Sequence, residues 1–204
     1  MRPNGVEKQV RPSGWKPWAN TIAYFPFSSN ATDQTWNNTL TNSWTQDWLW
    51  RKFTSASSIT TPSWTVAYVN YRIKINAYPS WNSAICLSNQ KWMGYYPNHS
   101  TDTRVNKKIF VWYNSSFSAW TVTFQPTTWT WHNISYGYDW SKTIYSIDGT
   151  TWTLYNGSGY NFGNEFIVSQ GNNITISKLI LETTAWTSQE ISDYYNLTKS
   201  DYWL

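Results

Sequence analysis

The chain of 204 residues holds one cysteine, Cys86. A single thiol forms no internal disulfide and excludes a metal site built from several cysteines. In its apolar setting, Ala84-Ile85-Cys86-Leu87, it is expected to pack as a small hydrophobe. Charge is also scarce, at 13% of residues. No apolar run approaches the roughly 18 residues that span a bilayer, and residues 1–20 lack the apolar core of a secretory signal. Glycine is depleted as well: nine residues, well under the roughly 7% of average usage.

Paired carboxylates are missing too. The acidic residues are Glu7, Asp33, Asp47, Asp102, Asp139, Asp148, Glu165, Glu182, Glu190, Asp193 and Asp201, and no two lie two positions apart. That spacing sets two carboxylates on one face of a strand, as a glycan hydrolase needs for its acid and its nucleophile or base. His99 and His132 are not spaced as metal ligands, and nothing marks a nucleophilic serine. The expectation is a protein that is not an enzyme. The net charge of +4 is concentrated at one end: residues 1–20 carry +3 and the remainder +1. A nucleic-acid interface needs a basic patch on the folded body, so no nucleic-acid partner is expected.

What is abundant is Thr, Ser, Asn, Tyr and Trp, a composition of strands and turns. Residues 21–204 are long enough for one large β-domain. Strands are predicted at Trp50–Phe53, Trp64–Asn76, Ser83–Leu87, Lys108–Tyr113 and Trp120–Gln125. Within Trp64–Asn76, Val66 and Tyr68 alternate out of phase with Tyr71, Ile73 and Ile75, which predicts a bulge near Val69-Asn70. Ile134, Tyr136 and Tyr138 alternate with Ser135 and Gly137 as in a half-buried strand. Tyr145 and Ile147 follow, closed by Asp148-Gly149, a hairpin dipeptide. Ile174, Ile176, Leu179 and Leu181 lie in a late strand. Thr187-Ser188-Gln189-Glu190 then has the form of a capping box opening a helix over 188–196.

Three of these stretches carry a family resemblance. Trp131-His132, Tyr138-Asp139-Trp140 and Ile147-Asp148-Gly149 stand where laminin-G-like domains place Trp-His, Tyr-Asp-Gly and Val-Asp-Gly. Ile22, Tyr24 and Phe27, then Asn30, Asp33 and Asn37, then Leu40, match the opening strand, polar loop and next strand of that family. The ending, AWTSQEISDYYN, matches its strand–link–helix close. The chain thus resembles the laminin-G-like branch of the concanavalin A-like lectin/glucanase superfamily, over about half its length. It departs at Trp140, Trp36 and Trp44, where the family has glycine, and at Ser177-Lys178, where it has acids. The resemblance implies an antiparallel two-sheet jelly-roll sandwich over 21–204, with one short C-terminal helix. It also implies a non-catalytic surface recognition module, carbohydrate-binding or adhesive, on an extracellular, cell or virion surface. The ligand residues it implies are Trp131, Tyr138, Asp139, Asn30 and Asp33. Calcium is the ion such a loop takes, with Asp33 and Asn30 as ligands.

Residues 1–20 read as an extended arm. Pro3, Pro12 and Pro17 prevent a continuous helix. Val6 and Val10 fall on one face of a strand, and Trp15 can anchor its exit. Added to a sheet edge, the stretch 5–11 would make β-augmentation. If that edge belongs to a neighbour, the arm assembles a filament, virion or surface layer, which is the alternative function.

Tryptophan is in surplus, 17 against nine glycines. Trp36, Trp44, Trp64, Trp81, Trp92, Trp129, Trp140 and Trp152 sit among Ser, Thr, Asn, Asp and Lys, in turn-like contexts. They are either exposed platforms for sugar rings or positions whose UGA codons are read as glycine in the cell of origin. Turn positions with positive φ favour the second reading. Trp131, Trp186, Trp112 and Trp15 stand where an aromatic fits.

Overall fold

The computed structural model describes 21–25, 40–41, 44–47, 50–53, 56–60, 66–88, 93–104, 106–112, 119–138, 142–155, 165–170 and 173–202. Side chains are described for 58, 66–85, 94–104, 106–110, 121–138, 142–153, 168–169 and 173–200. Within these residues the strands form two antiparallel sheets. The first has the order β13 (Thr150–Tyr155), β12 (Lys142–Ile147), β11 (Trp131–Tyr138), β6 (Tyr68–Ala77), β15 (Asn173–Glu182), β4 (Trp50–Phe53) and β3 (Trp44–Asp47). The strand β1 (Thr21–Phe25) pairs with the later half of β15, beyond the stretch that β4 takes. The second sheet runs β10 (Ala119–Thr123), β9 (Lys108–Trp112), β8 (Met93–Asn98), β7 (Ser83–Ser88), β14 (Glu165–Gln170), β5 (Ala56–Thr60) and β2 (Leu40–Thr41). β7–β10 and β11–β13 are each consecutive within one sheet, while β5, β6 and β7 and then β13, β14 and β15 alternate between sheets, which weaves the layers together as in a jelly roll.

The inner faces meet in one apolar core. Val69, Tyr71, Ile73 and Ile75 of β6, Ile134 and Tyr136 of β11, and Ile174, Ile176, Leu179 and Leu181 of β15 face Ile85, Tyr95, Ile109, Phe124 and Val168. All lie at 5% exposure or less. Each such side chain contributes about 1.5–3 kcal/mol by burial.

The first sheet is covered on its outer face as well. A helix, α1 (Ser188–Thr198), packs there with Trp186 against Tyr68, Ile144 and Ile180. Its start is the predicted capping box: Glu190 N–H donates to Thr187 Oγ1 at 3.2 Å, and Thr187 N–H donates to Glu190 Oε2 at 2.7 Å. Its end is held by Arg72, a fully buried guanidinium that donates to Thr198 O at 2.7 Å and to Thr198 Oγ1. A cation is favoured at the negative end of a helix.

Several expectations need correcting. The strand holding Ile134 and Tyr136 is buried on both faces, not half-buried: Asn133 and Ser135 are as inaccessible as their apolar neighbours. Instead of meeting water, Asn133 and Asn70 exchange side-chain hydrogen bonds at 3.2 and 3.4 Å. The bulge predicted near Val69-Asn70 is absent, since β6 pairs with β11 in unbroken register from Tyr68 to Lys74. The phase change has another cause: Tyr68 faces the helix side while Val69 and Tyr71 face the core, and both sides are apolar. The irregularity lies in the partner strand β15, between Ile176 and Lys178. The strand predicted from Trp64 begins at Tyr68. Trp44 and Trp152, read as turn residues, lie in β3 and β13. The Cys86 side chain lies outside the described ones.

Candidate functional site

One end of the sandwich gathers four connections, described over 78–82, 99–104 with 106–107, 124–130 and 148–149. They meet because β6, β8, β10 and β12 end there while β7, β9, β11 and β13 begin there. Hydrogen bonds tie them together. Tyr78 Oη donates to Pro126 O at 2.6 Å, Asn98 Nδ2 to Pro79 O at 2.7 Å, and the Phe124 amide to Lys107 O at 2.8 Å. Asn82 Oδ1 accepts from the Ser100 amide at 2.6 Å and from its hydroxyl at 2.9 Å. Loops crossed in this way present their side chains from a fixed frame.

Two features of this rim carry chemistry. The first is an aromatic–cation cluster on the outer face of the first sheet. Lys74 pairs with Trp131 across β6 and β11. The Lys74 ammonium lies 5.3 Å from the Trp131 ring centre and 5.6 Å from that of Trp129. Trp131 is buried and holds the cation from the sheet side, while Trp129 is exposed. The second is the polar loop 99–106. Arg104 donates from Nε to Asp102 Oδ1 at 2.8 Å and from Nη2 to Oδ2 at 2.6 Å. These bonds hold the Asp102 carboxyl down at about 2. The Asp102 amide donates to His99 Nδ1 at 3.0 Å, and Asn106 Oδ1 accepts from the His99 amide at 3.0 Å.

Asp148 also lies at this end, but it serves the fold. His132 Nδ1 sits 2.7 Å from Asp148 Oδ2, and the Asn133 amide donates to Oδ1 at 2.8 Å. The other side of the imidazole meets the Phe124 ring edge-on at 5.3 Å. Asp148 at φ 51° and Gly149 at φ 78° form the two-residue turn between β12 and β13. The pair therefore pins that turn to β11. Asp102 and Asp148 stand on different loops, each already bonded. Among the described residues no group of three or more His, Cys, Asp or Glu is placed to hold a metal.

The predicted site residues do not come together. Trp131 opens β11 and Tyr138 closes it. Seven steps along the strand separate them by about 23 Å and put them on opposite faces. Tyr138 is 2% exposed, and its amide donates to Ala67 O. Asp139, Asn30 and Asp33 lie outside the described residues, as do Val6, Val10 and Trp15 of the arm. Sequence reasoning missed Lys74, whose partnership with Trp131 depends on strand register. It also passed over Asp102 and Arg104, although two opposite charges two apart in a Ser/Thr/Asp loop are a legible signal.

No family model and no curated protein matches the chain. Solved structures do resemble it in shape. Domain 4 of AbnA, a GH43 extracellular arabinanase from Geobacillus stearothermophilus solved with arabinotriose, aligns at TM-score 0.58 and 15% identity. That alignment covers 85% of this chain and 97% of that domain. Trypanosoma rangeli sialidase aligns at TM-score 0.63 and 13% identity, over 94% of this chain but 35% of the sialidase. The binding domain of botulinum neurotoxin serotype G aligns at TM-score 0.64 and 11% identity, over 89% of this chain and 52% of that one. No helix among the described residues is long and apolar enough to cross a membrane. At these identities the likeness shows the fold alone, an antiparallel two-sheet β-sandwich.

Proposed function

We propose that this chain is a non-catalytic, laminin-G-like recognition module that binds carbohydrate outside the cell, at the rim where Trp131 and Lys74 lie. The observation that carries the reading is the Lys74 ammonium set against the Trp131 indole, 5.3 Å from its centre. Sugar hydroxyls take hydrogen bonds from a cation that the indole holds in place, and from polar loops. Asn82, Ser100 and the Asp102–Arg104 pair supply such loops on the same rim. Similarity supports the reading in kind. The arabinanase domain was solved with arabinotriose and is described as extracellular, and a botulinum neurotoxin binding domain was solved with SialylT. Fold likeness does not by itself transfer a ligand, so the rim residues bear the argument.

The test is a glycan array followed by titration of any sugar bound, using the whole chain. Trp131→Ala and Lys74→Ala are expected to weaken binding about tenfold or more, while Tyr138→Phe leaves it unchanged. Binding lost with Tyr138→Phe, but not with Trp131→Ala, would move the site to the other end of the sandwich. No binding to any glycan would remove the reading.

A further inference from the structure

The tryptophans whose side chains are described fall into two groups. Trp131 and Trp186 are 8% and 3% exposed. Trp186 is also fully engaged: its Nε1 donates to Glu182 Oε2 at 2.6 Å, and its ring stacks on Tyr68 at 4.9 Å. Trp81, Trp129 and Trp152 are 56%, 65% and 39% exposed. They are the exposed large hydrophobics among the described residues, and no Tyr, Phe, Ile or Leu joins them. A surface selected for stickiness would draw on those residues as well. The excess is confined to one residue type, which points to the codon rather than to the surface.

Backbone geometry singles out position 129. Trp129 has φ 69°, in the left-handed region. Asp148 and Lys107 are the other non-glycine residues with positive φ among those described. For a bulky residue this conformation is an outlier, whereas glycine adopts it freely. The protein enforces it, because the Trp129 amide donates to Ile75 O at 2.8 Å and so ties the turn to β6. The indole gains little in return. It stands mostly in solvent, and Lys74 already has the Trp131 ring slightly closer. Trp152 does not share this geometry, since it lies inside β13 opposite Tyr145.

We infer that residue 129 is glycine in the native polypeptide, its UGA codon being read as glycine, and that a glycan bound at this rim is met by Lys74 and the polar loops and not by the Trp129 indole. The second clause rests on the proposed carbohydrate reading; the first does not. Trp81, in the bend at 80–81, is the next position to which the same decoding applies.

Two measurements test it. The gene is expected to carry UGA at position 129 and UGG at Trp131 and Trp186; UGG at 129 would overturn the inference. In the expressed chain, Trp129→Gly is expected to raise the folding equilibrium constant about fivefold, because it releases left-handed strain of order 1 kcal/mol. Trp186→Gly, by contrast, should abolish cooperative folding. A Trp129→Gly chain no more stable than the parent would refute the strain argument. For the rim, Trp129→Gly is expected to bind any glycan found at least as tightly as the parent. Weaker binding would return the indole to the site and overturn the second clause. If neither chain binds a glycan while Trp129→Gly still stabilises, the carbohydrate reading fails and the glycine assignment stands.

Discussion

Among the described glycines Gly137 has the least room, and Gly137→Ala measures how tightly β6 and β11 are held together. A methyl group there would sit 2.5 Å from Tyr68 Cδ2, 2.8 Å from Ala67 O and 3.1 Å from Tyr68 Cα. Carbon atoms pack at about 3.5–4.0 Å, so the overlap is of order 1 Å. Tyr68 cannot turn aside. It is fully buried, stacked on Trp186, and packed with Ile144, Ile180, Ile191 and Tyr194. The Ala67 carbonyl cannot retreat easily either, because it accepts from the Tyr138 amide at 2.8 Å, and the Ala67 amide donates to Glu182 O at 2.8 Å. Relief therefore requires β6 and β11 to part. Overpacking costs typically 1–3 kcal/mol, and a clash with backbone belongs at the upper end, about 3 kcal/mol. For a chain of this size that lowers Tm by roughly 6–12 °C. Urea unfolding followed by far-ultraviolet circular dichroism should show a lower midpoint at unchanged slope. The near-ultraviolet signal of the Tyr68–Trp186 stack should change as well. A loss under about 0.5 kcal/mol would show that the strands give way freely and refute the reasoning.

Three further outcomes follow from the same contacts. Thr187→Ala removes the cap of α1, the hydroxyl that accepts from the Glu190 amide, and should cost about 1 kcal/mol in thermal unfolding. Arg72→Met strips Thr198 O and Oγ1 of a buried charged donor and should cost about 2 kcal/mol or more, with frayed C-terminal helix amides visible in hydrogen exchange. The Asp102 carboxyl, held below its unfolded value by Arg104, should titrate near 2 in carbon-detected NMR. The contribution of that exposed pair is then full above about pH 3.9 and disappears as the pH falls through about 2. Titration at 3.9 would mean that the loop bonds do not persist in solution.

The residues explain why some of this was legible beforehand. The capping box is local: Thr187 and Glu190 are one turn apart, so four residues of sequence contain the whole device. Asp148-Gly149 is equally local, and its two positive φ values are what that dipeptide supplies. Alternation located β11, β12 and β15 because their inner faces are uniformly apolar. It misled at β6, where Tyr68 is apolar toward the helix and Val69 apolar toward the core. A period of two reports one apolar face, and two apolar faces erase it. The short strands β5 and β8 escaped because Ala-Ser-Ser-Ile-Thr and Met-Gly-Tyr-Tyr-Pro-Asn read as turn chemistry. Their strand state comes from pairing with β14 and β9, segments far away or separated by a long loop.

The site was the least legible part, for a geometric reason. Trp131, Tyr138 and Asp139 are close in sequence and carry one motif, which invites reading them as one site. A strand converts closeness in sequence into distance along the sheet, and β11 runs the full height of the sandwich. Its two ends then have different fates. At the Tyr138 end the chain folds back on itself: Ala67 bonds both Tyr138 and Glu182, Glu182 accepts from Trp186, and the phenol ring of Tyr138 is closed off from solvent. No ligand reaches a side chain 2% exposed without opening that packing. At the Trp131 end the loops carry the exposed polar groups of Ser100 and Arg104, and the cation of Lys74 stands beside the indole. Recognition needs groups that are both fixed and reachable. Register, which no local motif encodes, sets Lys74 beside the first residue of β11, at the end where the rim loops are open.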